Sequence, residues 1–109
     1  MRTRASALEW TLSAANVVEV GIVMQARRGD DGARDFDLLL AKLRVDIAAV
    51  TANQADLARK AFRRYGRGRH AANLNFGDCF AYALAKDNSA PLLFKGGDFG
   101  RTDVMVASY

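Results

Sequence analysis

Apolar positions recur at helical spacing along most of this chain, and short runs that suit strands separate them. Ser13 can cap a helix. The run Asn16-Val17-Val18-Glu19-Val20-Gly21-Ile22-Val23-Met24 follows it, and the helix is expected to continue to about Arg28. Gly29-Asp30-Asp31-Gly32 then breaks the chain. Phe36, Leu39, Leu40 and Leu43 return at helical spacing and predict a second amphipathic helix over 33–44. Residues 45–50 are partly β-branched and read as a short strand. Thr51 can cap a helix over 52–65, with Leu57, Ala58, Ala61 and Phe62 as its inner face.

The glycine- and arginine-rich stretch 66–74 reads as a flexible basic loop. Asn75 can cap a largely apolar helix, Phe76-Gly77-Asp78-Cys79-Phe80-Ala81-Tyr82-Ala83-Leu84-Ala85, running to about Asp87. A turn over 88–91, a strand over 92–94, a glycine-rich loop over 95–100 and a closing strand over 104–107 complete the reading. Helices alternating with short apolar strands predict an α/β fold with parallel strands covered on both faces.

Composition narrows the class. The chain has 109 residues, 50% of them hydrophobic, and a single proline, which fits one compact domain able to bury a core. Cys79 is the only cysteine, so no internal disulfide can form, and the thiol reads as a buried core group. No apolar run reaches membrane-span length, and no cleavable leader follows Met1-Arg2-Thr3-Arg4. These features set a cytoplasmic protein, with no membrane partner, as the default. The net charge of +4 is concentrated around Arg63, Arg64, Arg67 and Arg69, a footprint suited to phosphate-rich partners or simply a solvated face.

The candidate chemistry is acidic. Glu19 and Asp78 are each the only charge in an apolar helical run, where a carboxylate needs a partner or a cap. Asp78 fits a capping box with Asn75, and Glu19 fits one if Asn16 is the cap. Asp98 follows the strand over 92–94 and also suits an ordinary turn, and Asp103 is no more specific. Asn16 and Asn75 suit either capping or the orienting of carboxylates. The only histidine, His70, belongs to the basic stretch. No nucleophilic triad, zinc set or phosphate loop is present. Glu19, Asp78, Asp98 and Asp103 form an all-oxygen set of the kind that selects Mg²⁺ or Mn²⁺, and a basic rim beside it points to phosphodiester hydrolysis.

These segments resemble PIN-domain ribonucleases, most closely the VapC-type toxins of bacterial toxin–antitoxin pairs. The segments are Ser13 through Glu19, Asn75 through Ala85, Leu92-Leu93-Phe94-Lys95-Gly96-Gly97-Asp98-Phe99, and Thr102-Asp103. The resemblance spans 13–107. It implies a three-layer α/β/α fold with a small parallel sheet. It implies a metal-dependent endoribonuclease of single-stranded RNA with Glu19, Asp78 and Asp98 as site acids, Asp78 a metal ligand and Asp103 near Asp98. It also implies an antitoxin partner and a homodimer.

Two departures bear on activity. The family opens with a strand ending in an Asp ligand, and before Ser13 only Arg4-Ala5-Ser6-Ala7-Leu8 could stand for it, with Arg4 at the Asp position. More in keeping with the pattern, residues 1–12 are the end of the segment that follows that strand, which makes the fold N-terminally truncated. Gly97 also stands where relatives often carry another Asp. The expectation is weak or absent cleavage. The competing readings are a non-catalytic module that binds an antitoxin and a basic nucleic-acid-binding domain using Arg63, Arg64, Arg67 and Arg69.

Overall fold

A computed structural model describes residues 10–68, 70–88, 92–94 and 106–108. Within them the order is β1 (Trp10–Ser13), α1 (Ala14–Lys42), β2 (Val45–Ala48), α2 (Ala52–Tyr65), α3 (Phe76–Asp87), β3 (Leu92–Phe94) and β4 (Val106–Ser108). The fold is mixed α/β. β1 pairs with β2 in parallel, Trp10 opposite Val45 and Ser13 opposite Ala48. β3 pairs with β4 in parallel, Leu92 opposite Val106. The predicted segments 89–91, 95–100 and 104–105 lie outside the described residues.

β1 was not foreseen. Trp-Thr-Leu-Ser carries neither clear alternation nor a turn signal, and the strand exists through its pairing with β2, 35 positions away along the chain (Val45 minus Trp10). The two helices expected over 14–28 and 33–44 are one helical element of 29 residues, kinked at Gly29. Gly29 has φ 61° and ψ −149°, a conformation that is essentially restricted to glycine, so the break falls there and Asp30, Asp31 and Gly32 resume the helix. Arg28 and Asp35 pair across the kink at 2.8 Å.

α2 begins and ends as read, with Thr51 accepting a hydrogen bond from the Gln54 amide at 3.1 Å. Ala58 and Ala61 face inward, whereas Phe62 is 39% exposed, which corrects its place on the inner face. Small residues on α2 and on α3 (Ala81, Ala83, Ala85) let the two helices pack closely, and they form the core with Tyr65, Cys79 and Tyr82. Asp87, at the end of α3, accepts from Asn53 Nδ2 at 2.7 Å and Gln54 Nε2 at 3.1 Å, tying the two helices at their far ends.

The described residues of 66–74 form turns and bends that are anchored to the core. Leu74 and Ala72 are fully buried. The Leu74 amide donates to Tyr65 O and the Arg67 amide to Leu74 O, each at 2.8 Å. His70 meets the Tyr65 ring edge-on at 5.0 Å and accepts from the Ala72 amide through Nδ1 at 2.9 Å. Charge and glycine content favoured a solvated loop, but two buried apolar side chains anchor it.

Candidate active site where α1 meets α3

β1 runs directly into α1, because Ser13 both ends the strand and caps the helix, its hydroxyl oxygen accepting from the Ala15 amide at 3.3 Å. In α/β layers this carboxyl end of a strand is where ligands bind. Asn16 and Glu19, three positions apart, lie on one face of α1 in its first two turns. α3 presents its N-terminal turn to that face. The fully buried Asn16 donates through Nδ2 to the Gly77 carbonyl oxygen at 2.9 Å. The half-buried Glu19 lays its carboxylate on Gly77, where a β-carbon would collide with both carboxylate oxygens.

Asp78 follows immediately. It completes a capping box: its amide donates to Asn75 Oδ1 at 2.9 Å, and its Oδ2 accepts from the Asn75 amide at 3.0 Å. The cap reading thus holds for Asp78 and fails for Glu19, since Ser13 rather than Asn16 caps α1. The open choice for the two asparagines resolves in the same way. Asn75 caps, and Asn16 reaches across to the second acid's helix.

The structure therefore sets Glu19 against Gly77, the residue before Asp78, while the Asp78 side chain itself bonds to Asn75. Asp98, Asp103 and Arg69 lie outside the described residues. Among the described residues, no three His, Cys, Asp or Glu side chains gather into a group able to hold a metal ion. Cys79 is buried just beyond Asp78, and burial, followed by the Asp78 charge, pushes its thiol up to about 11, so it stands neutral there. Sequence reasoning missed Gly77. Its only signal is a glycine in a first helical turn where no turn geometry is needed.

Arg63 and Arg64 occupy the last turn of α2, and Arg67 follows its cap. The Arg64 guanidinium lies 5.2 Å from the centre of the Tyr65 ring. Arg59 and Arg63 border an open apolar groove of about 660 Å³ between α2 and α3, lined by Phe62, Phe76 and Phe80. No helix among the described residues is long and apolar enough to cross a membrane.

The chain is mixed α/β with two parallel strand pairs, and Glu19 lies against the turn of α3 that bears Asp78. The PIN domain family matches residues 2–105, and the chain belongs to that family. Within it the chain is a homologue of the VapC ribonuclease toxins. It is 54% identical over 97 residues to Ribonuclease VapC30 of Mycobacterium tuberculosis, covering 89% of this chain and 74% of that protein. Ribonuclease VapC of Mycolicibacterium smegmatis is 55% identical over 94 residues, with 86% and 73% covered. Ribonuclease VapC28 of M. tuberculosis is 48% identical over 97 residues, with 88% and 73% covered.

Proposed function

We propose that this chain is a metal-dependent endoribonuclease toxin that cleaves single-stranded RNA slowly and is neutralised by a cognate antitoxin. The observation that carries the proposal is the Glu19 carboxylate held on Gly77, one residue from Asp78, in a homologue of VapC ribonucleases. The donors present are hard oxygens, and the buried Asn16 Oδ1 beside them has no partner among the described residues. Such a set fits Mg²⁺ or Mn²⁺. Glu19 and Asp78 would hold the ion, with Asp98 and Asp103 as the further acids, in a three-layer α/β/α domain.

When bound, the ion supplies Lewis acidity at the phosphoryl oxygens and a more acidic water. The side chains prepare the place. Asp78 Oδ2 accepts from the Asn75 amide, which fixes the carboxylate and leaves Oδ1 clear of that bond to serve as a single-oxygen ligand. Arg63, Arg64 and Arg67, together with Arg69, would draw the RNA backbone by its charge. The test is cleavage of an end-labelled single-stranded RNA by the whole chain in Mn²⁺ and in EDTA. Slow, Mn²⁺-dependent cleavage that vanishes in Glu19→Gln and Asp78→Asn is expected. Cleavage that persists in EDTA or in both variants would defeat the reading.

One observation favours a second reading, a non-catalytic module that binds an antitoxin. Phe76 is 74% exposed at the mouth of the apolar groove bordered by Arg59 and Arg63, which suits a partner segment with apolar anchors and acidic flanks. Retained antitoxin binding with no effect of Mn²⁺ on melting would support this module over the enzyme.

A further inference from the structure

We infer that Gly77 is a positioning residue, whose bare Cα seats the Glu19 carboxylate and whose carbonyl Asn16 fastens. The inference rests on the reading of Glu19 as a site acid. Nothing in the backbone requires glycine at 77. Among the described residues the glycines with positive φ are Gly29 and Gly68, whereas Gly77 lies in the first turn of α3. In a helix an alanine would be the more stable choice. The space above Gly77 is what excludes it, because a β-carbon there would overlap both oxygens and Cδ of Glu19.

The overlapping atoms are the tip of a flexible side chain. An added methyl group would therefore be met by displacement of the carboxylate rather than by disruption of the fold. The glycine governs where the charge of Glu19 sits, and it contributes little to whether the chain folds. Asn16 holds the other side of the arrangement, its amide 2.9 Å from the Gly77 carbonyl oxygen and wholly shielded from water. Its Oδ1 is buried without a partner among the described residues, so the residue is poorly satisfied, and the orienting bond to Gly77 is what it supplies. The bond joins positions 61 apart in the chain and fixes the first turn of α3 against the turn of α1 that bears Glu19.

The chain has two glutamates, Glu9 and Glu19, so a spectrum of the whole protein labelled with glutamate ¹³Cδ resolves two carboxylate signals, assigned by Glu19→Gln. In metal-free protein, Gly77→Ala is expected to move the Glu19 signal while circular dichroism and melting temperature stay at or above the wild-type values. Mn²⁺ affinity, read from the free-ion paramagnetic resonance signal, should fall about tenfold in Gly77→Ala and in Asn16→Leu. In a Glu19→Ala background, Gly77→Ala should have no further effect on Mn²⁺. A Glu19 signal unmoved by Gly77→Ala, or an equal loss of Mn²⁺ affinity in both backgrounds, would overturn the inference. If Glu19→Ala itself leaves Mn²⁺ affinity unchanged while the Glu19 signal still moves in Gly77→Ala, the metal reading of Glu19 fails and the seat stands.

Discussion

Removing the charge of Asp78 and removing its side chain are different experiments. An asparagine at 78 keeps an oxygen for the Asn75 amide and so keeps the capping box, whereas an alanine loses it. Asp78→Ala should lower unfolding free energy by about 1 kcal/mol in urea titrations. Asp78→Asn should cost roughly half that or less, while abolishing Mn²⁺-dependent cleavage as fully as alanine does. If cleavage follows stability across the two variants, the acid is only a cap. The neighbouring Cys79 adds a pH dependence. Between the ordinary thiol value of 9.0 and about 11, the folded chain keeps a proton that the unfolded chain has released. Stability is therefore complete below 9 and declines as pH rises through that window, by on the order of 2 kcal/mol when both states are ionised. Denaturant midpoints at pH 8, 9.5 and 10.5 should fall in that order, and alkylation of the native thiol at pH 8 should be slow.

At the scale of elements, the kink in α1 depends on two glycines for two reasons. Gly29 needs a backbone conformation that other residues avoid, and Gly29→Ala should cost roughly 1–3 kcal/mol. At Gly32 a β-carbon would meet the Met24 carbonyl and the Arg28 β-carbon, backbone and near-backbone atoms with little room to yield. Gly32→Ala should therefore be destabilising by about 1–3 kcal/mol even though alanine favours helices elsewhere. Paired urea titrations check both values. This region also indicates what the sequence can disclose. Ser13, Thr51 and Asn75 cap the helices they were read to cap, because a cap is decided within a few residues. Gly29-Asp30-Asp31-Gly32 marked the break for the same reason, but not that the helix resumes within one residue. β1 and the seat at Gly77 were illegible, since each depends on a contact with a distant segment, whereas in 66–74 charge and glycine content hid the anchoring Ala72 and Leu74. Glu19 and Asp78 stood out as lone charges in apolar runs, and Asn16 and Asn75 as residues able to cap or orient, while Gly77 offered only a glycine in a first helical turn.

Across the whole molecule, one kind of surface should respond to salt and another should not, and this separates the partners they would take. Val18, Ile22, Leu38, Leu39, Ile47 and Phe76 are all more than half exposed, a wide apolar surface for a chain of 109 residues. The homodimer that the family resemblance implies, were it to cover part of this surface, would be held by apolar burial, which salt does not screen. RNA binding through Arg63, Arg64 and Arg67 releases counterions, and three phosphate contacts on a single strand give a log–log salt slope of about −2. Raising salt from roughly 50 to 200 mM should thus weaken RNA binding about 20-fold while leaving the dimer intact. Light scattering coupled to size exclusion and fluorescence anisotropy with a labelled single strand measure the two. Arg63→Ala with Arg67→Ala should flatten the slope by about 1.4 and spare the dimer. If the dimer dissolves with salt alongside RNA binding, the apolar surface is not what joins the copies, and the arginines serve the protein interface instead.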